Sequence, residues 1–233
     1  SERHGFSGMI GSLSQAGKVA NQRLKDLGIE RYFTNLLVHE KCMKICRTIQ
    51  KRAIELNIPL SFFKGPTLDI YAFQEPGIRS YSDLDILIGS RNDAWRLIKE
   101  LKYECYEDVQ EESFKNRFME TGRVHAFGDG WTIEFCYPLE HLCDPMFELL
   151  NKFEKRWLKI PASPETLVTP DPEIHLLLLI QHMSRHLCSR FIWFLDIVTL
   201  VRSNYNKIDF NWIEKEMRGL QMSNISSLLF SFC

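Results

Sequence analysis

Apolar positions recur at helical spacing through residues 34–56, at Leu36, Leu37, Met43, Ile45, Ile49, Ala53 and Leu56, with polar residues between them. That period predicts an amphipathic helix. Asn57-Ile58-Pro59 closes it, because the residue before a proline avoids helical backbone. Residues 12–27 carry weaker helical character and run into Gly28, a stop signal, while residues 1–11 read as loose chain. The pattern then changes to short apolar runs broken by turns. Residues 60–63 predict a strand that delivers Lys64-Gly65-Pro66 into a short helix over 67–73, followed by a Pro-Gly loop over 74–78. In residues 80–89, SYSDLDILIG, a β-prone apolar run bounded by Gly89 predicts a buried strand.

Ser90-Arg91-Asn92-Asp93 reads as a capping box that opens a helix through Leu101. Residues 103–106 form a short strand in this reading, and 108–117 a charged loop or exposed helix. Residues 123–127 and 131–137 flank Gly128-Asp129-Gly130, the signature of a β-hairpin. A helix over 144–154, a short edge strand over 156–160 and a proline-rich linker over 161–172 follow. Asp171-Pro172-Glu173 then combines N-cap, first-turn proline and first-turn acid, a strong helix start. Further helices are expected over 191–201, after Asp209 with Trp212, Ile213 and Met217 on one side, and over 220–233. The chain therefore divides into a loose or helical segment (1–30), an α/β unit (31–160) and an all-helical unit (171–233).

Chemistry enters at Asp83 and Asp85. Residues two apart on a strand share a face, so both carboxylates point the same way, and they repel unless a cation or proton lies between them. Mg²⁺ suits such a place, since it takes oxygen ligands from one or two carboxylates and from substrate phosphates. Turn and cap chemistry at a strand start also produces a D-x-D. A strand running into a glycine turn and a helix presents backbone N–H groups to phosphate, and Lys64 adds a point charge beside it. Arg79 either pairs with a carboxylate or contacts a phosphate. Glu134 shares a strand face with Thr132 and Cys136 and needs a partner such as Arg123 or His125 across the hairpin. His182 and His186 share a helix face without the Glu or third ligand of a zinc motif, which favours packing or hydrogen bonding. Asp196, among Trp193, Phe194, Leu195 and Ile197, needs a donor, either a histidine or Arg190.

Composition narrows the classes. The 233 residues are 45% hydrophobic and 25% charged, as in an ordinary globular protein. A net charge of −1 argues against nonspecific nucleic-acid binding. The seven cysteines, at 42, 46, 105, 136, 143, 188 and 233, form no C-x-x-C pair and read as thiols of a reducing, cytoplasmic compartment, with Cys42 and Cys46 as packing residues. No signal-peptide pattern or run long enough to span a bilayer occurs, so no membrane partner is expected. The opening Ser1 and the closing LLFSFC read as an excerpt of a longer chain.

Residues 60–89, F-F-K-G-P-x-L-x-I-Y and then P-G-x-R-S-x-S-D-L-D-I-L-I, resemble the family of uncharacterised nucleotidyltransferases in the polymerase-β-like nucleotidyltransferase superfamily. The resemblance extends through T-I-E-F at 132–135 to H-M-S-R-H and W-F-L-D-I-V, covering roughly 34–201. It implies an α/β (α+β) fold, a short mixed sheet flanked by helices, with a C-terminal helical domain and the nucleotide in the cleft between them. It further implies transfer of an NMP from an NTP, ATP foremost, to a hydroxyl of a small molecule, sugar, peptide or tRNA, tRNA being the less favoured. Asp83, Asp85 and Glu134 would hold two Mg²⁺ ions, with Glu134 also the candidate base. Lys64, Gly65, Arg79 and Ser82 would bind the nucleotide. Two positions depart from the pattern: Gly65-Pro66 stands where the superfamily has Gly-Ser, and Cys136 where relatives place a histidine. Phosphoryl transfer on the same fold and a non-catalytic nucleotide-binding scaffold are the alternatives.

Overall fold

The computed structural model describes residues 7–105, 123–136, 156–162, 165–185 and 189–219. The expected charged segment 108–117, the helices over 144–154 and 220–233, His186, and cysteines 143, 188 and 233 lie outside them. Helix α1 spans Ser7–Gln15, and α2 spans Gln22–Glu55 without a break at Gly28. The loose reading of residues 7–11 and the stop at Gly28 are both corrected, for one reason. A Cβ on Gly11 would lie 2.2 Å from the Gly28 carbonyl oxygen, and one on Gly28 would lie 2.8 Å from the Gly11 nitrogen. Gly28 is a helix-crossing contact, and tertiary packing overrides its weak helix propensity. A Cβ on Gly8 would likewise lie 2.1 Å from the Gly77 carbonyl oxygen, so α1 also abuts the 74–78 loop. Asn21 caps α2 by accepting the Leu24 N–H at 3.0 Å. After α2, Asn57 turns left-handed at φ 54.

The strands are β1 (Leu60–Phe63), β2 (Asp83–Ile88), β3 (Glu104–Cys105), β4 (Arg123–Gly128) and β5 (Trp131–Cys136). They form one mixed sheet ordered β1-β2-β5-β4-β3. β2 runs antiparallel to β1 and parallel to β5, and the register sets Asp85 opposite Phe63 on one side and Glu134 on the other. The β4–β5 hairpin turns through Asp129 and Gly130, both at positive φ, as a two-residue hairpin loop requires. Between β1 and β2, α3 (Gly65–Leu68) continues as one wider turn over Asp69–Phe73. Helix α4 (Arg91–Leu101) begins at Ser90, whose Oγ accepts the Asp93 N–H at 3.0 Å.

Strand alternation gives the sheet two faces with different neighbours. Phe62, Leu84, Ile86, Ile88, Ile133 and Phe135 pack under α2 and α4. Phe63, Leu87 and Cys136 pack with the helices that follow. Asp83 and Asp85 alternate with the first set and so lie on the second face. The expected linker over 161–172 is instead an antiparallel hairpin of β6 (Trp157–Ala162) and β7 (Glu165–Pro170). A two-stranded ribbon has no central strand, so its prolines remove no ladder bond the fold needs. Gln50 of α2 holds the hairpin, donating to the Thr166 carbonyl and accepting the Val168 N–H at 3.0 Å.

Helices α5 (Pro172–Arg185), α6 (Phe191–Asn204) and α7 (Phe210–Gly219) complete the described fold. Asp171 caps α5 through the Ile174 N–H at 2.9 Å, and Asp209 caps α7 through Asn211 and Trp212. Glu173 accepts the Asp209 N–H at 2.7 Å, which ties the start of α7 to that of α5. Among the described residues no helix is long and apolar enough to cross a membrane.

Candidate active site

The carboxylate end of β2 opens into a cleft of about 340 Å³. Its sheet wall carries Lys64, Gly65, Asp83, Asp85, Arg123 and Glu134; the opposite wall carries His182, Arg190 and Trp193. All the residues expected from the sequence to act in the site, Ser82 and Arg79 included, line this one cleft.

Lys64 ends β1 in an unusual backbone state, φ 60 and ψ −147. That region is nearly reserved for glycine, and a side chain there costs about 1–3 kcal/mol. The fold holds it anyway: the Lys64 N–H donates to His175 Nε2 at 3.2 Å, and Thr67 Oγ1 donates to the Lys64 carbonyl at 2.7 Å. The lysine ammonium donates to Asp85 Oδ1 at 3.2 Å. Asp85 is buried whereas Asp83 is exposed. Burial pushes the Asp85 carboxyl up to about 6; Lys64 opposes this, and the charges of Glu134 and Asp83 add to it.

Glu134 has the partners its hairpin register offers. Arg123 donates to its Oε1 at 2.7 Å, His125 Nε2 lies 3.4 Å from Oε2, and the Cys136 thiol donates to Oε1 at 3.4 Å. Burial opposes ionisation, yet His125, Arg123 and Lys64 together hold this carboxyl well below the usual range.

Arg79 has a carboxylate partner, one of its two expected roles, while the donor to Asp196 is not one of those expected. The Arg79 guanidinium grips Asp196 with two parallel hydrogen bonds, Nε to Oδ1 at 2.8 Å and Nη2 to Oδ2 at 3.0 Å. Asp196 thus takes its donor from Arg79 rather than from a histidine or Arg190. His182 packs edge-on against Trp193, with ring centroids 4.8 Å apart. Two groups were missed in the sequence. His39 Nδ1 lies 2.9 Å from the Tyr81 hydroxyl and 3.2 Å from Asp69 Oδ2, a buried cluster behind the cleft. Its signal was available: Asn35 and His39 sit one turn apart on the buried face of α2, and both are buried where Leu37 is exposed. The other missed group is His175, whose neighbourhood gave only a run of leucines.

Mg²⁺ can be tested against this donor set. Asp83 and Asp85 offer hard oxygen ligands side by side, and Asp85 already has a cation, Lys64 Nζ, against it; this suits a divalent ion that needs one or two carboxylates. Among the described residues no three of His, Cys, Asp and Glu converge into a ligand cluster. Glu134 shares the cleft with the two aspartates.

A mixed sheet with paired aspartates on its second strand, facing a strand–turn–helix, defines a nucleotidyltransferase-like α/β fold. The solution structure of the antibiotic-resistance factor ANT(2'')-Ia superposes with a TM-score of 0.52 at 10% identity, over 82% of this chain and 96% of that one. An antigenic nucleotidyltransferase-like protein from Paracoccidioides brasiliensis matches at 14% identity over 82% of this chain and 92% of that one, with a TM-score of 0.46. A comparison of the sequence with curated proteins finds no match. The family model of uncharacterised nucleotidyltransferases matches residues 2–233, and the chain belongs to that family. It is, on that membership, a nucleotidyltransferase.

Proposed function

We propose that the chain moves an NMP from an NTP, ATP foremost, to a hydroxyl of a small molecule, sugar, peptide or tRNA in a Mg²⁺-dependent reaction. The observation that carries this is the Lys64–Asp85 pair beside Asp83, at the point where the glycine turn meets the cleft. Asp83 and Asp85 would hold Mg²⁺, which when bound neutralises phosphate charge and activates the attacking hydroxyl. Lys64, whose ammonium lies against Asp85, would supply its charge to the phosphates. Gly65 at φ 40 lets the turn approach them closely, and Ser82 adds a hydroxyl on the loop before Asp83. Arg79 fixes that loop through Asp196 and acts by position. Glu134, held ionised by Arg123 and His125, contributes the third negative charge of the cleft. The test is a thermal-shift panel of the four NTPs with and without Mg²⁺, on wild type and on the Asp83→Asn/Asp85→Asn double variant. A Mg²⁺-dependent rise with an NTP, lost in the double variant, supports the reading. No rise with any NTP overturns it. Product labelling from α-labelled rather than γ-labelled nucleotide then separates nucleotidyl from phosphoryl transfer.

A further inference from the structure

His175 is not used by the mechanism above, yet it touches the residue on which that mechanism turns. It lies in the first turn of α5, 111 residues from Lys64 in sequence, and is fully buried. Its ring sits against Phe63 and Tyr71, at centroid distances of 5.0 and 5.6 Å. Nε2 accepts the Lys64 N–H at 3.2 Å, and Nδ1 lies 2.9 Å from the Tyr71 hydroxyl. An imidazole that accepts at Nε2 is neutral and carries its proton on Nδ1, so it donates to the tyrosine oxygen. Burial first, then the charges of Lys64 and Arg79, push its pKa down to about 3, which keeps it in that form.

We infer that His175 is a positioning residue: by accepting the Lys64 N–H it holds the turn that presents the Lys64 ammonium and Gly65 to the nucleotide's phosphates. This rests on the nucleotide-binding reading of the turn. Lys64 sits at φ 60 and ψ −147, where a non-glycine residue stays only while its surroundings fix it. Without the acceptor at Nε2, the 63–64 peptide loses its partner and Lys64 is free to leave that state. The lysine stem then swings, and its ammonium departs from Asp85. The acceptor is delivered from outside the sheet, because α5 is itself fixed at its start by the Asp171 cap and the Glu173–Asp209 tie. The helical segment thereby sets the geometry of the phosphate turn.

Two variants separate the acceptor from the space it fills. His175→Gln can place an amide oxygen near the Nε2 position; His175→Leu fills the space without an acceptor. With MgATP as probe, His175→Leu is expected to bind about tenfold more weakly and His175→Gln to recover most of that loss. The Lys64 amide resonance in lysine-labelled protein should move in the Leu variant and return in the Gln variant. Wild-type-like binding and an unmoved Lys64 resonance in the Leu variant would overturn the inference. A second measurement needs no variant: the ¹⁵N shift of His175 Nε2 in wild type. A non-protonated Nε2 supports the contact, and a protonated one overturns it even if neither variant folds. If wild type binds no MgNTP, the nucleotide reading fails, while the Lys64 and His175 resonances still decide whether His175 holds the turn.

Discussion

Two cation–carboxylate pairs flank the cleft, and they are built differently. Lys64 meets Asp85 through a single 3.2 Å contact between a point charge and one oxygen. Arg79 meets Asp196 through a planar fork at 2.8 and 3.0 Å, with the aspartate wholly buried. A guanidinium fork is matched to one carboxylate and hard to exchange; an ammonium on a flexible stem exchanges partners easily. The first pair therefore suits a site that trades its internal cation for a ligand. The second suits a clamp that joins the loop before β2 to α6.

The largest effect should come from breaking the clamp. Asp196→Ala leaves a buried guanidinium unpaired and should cost about 3–5 kcal/mol of stability in urea melts. Arg79→Lys should not restore it, because one ammonium cannot replace the fork. Asp83→Asn with Asp85→Asn should leave the fold intact, with an unchanged circular dichroism spectrum, while nucleotidyl transfer falls at least about a hundredfold. Lys64→Met sharpens the contrast further. Nucleotide affinity should fall about tenfold with little change in melting temperature, since the lost contact is a single exchangeable one.

A pH dependence of folding sets His175 apart from Asp85. His175 has a folded pKa of about 3 against an ordinary 6.5, so the unfolded chain takes up its proton first. Its contribution to stability is whole above pH 6.5 and declines as pH falls toward 3, by about 1.4 kcal/mol per pH unit. Asp85, raised to about 6, acts in the opposite sense between 6 and its ordinary 3.8. The contrast is therefore with His175→Gln: its denaturant midpoint should fall less between pH 7 and 5 than that of wild type. Parallel curves would remove His175 as the titrating group.

What the sequence disclosed followed the range of the signal. The D-x-D strand was legible because alternation within six residues fixes which side chains share a face. The partners of Glu134 were legible because a two-residue turn fixes hairpin register. The Arg79–Asp196 clamp was not, since its members are 117 residues apart and no local pattern pairs them. The β6–β7 hairpin was misread because its prolines resemble those of a linker until edge positions are known. Gly28 was misread for the converse reason: a helix stop and a helix crossing place the same residue in the same local pattern.

Gly8 carries a further consequence. Its missing side chain lets α1 rest on the Gly77 carbonyl, two residues before Arg79. Helix α1 is thus a buttress for the loop that leads into β2. Changes to the first helix should register as altered catalysis rather than as altered surface. Shortening the chain past Gly8, a routine step in preparing a protein for study, would loosen the enzyme at a place some seventy positions further along.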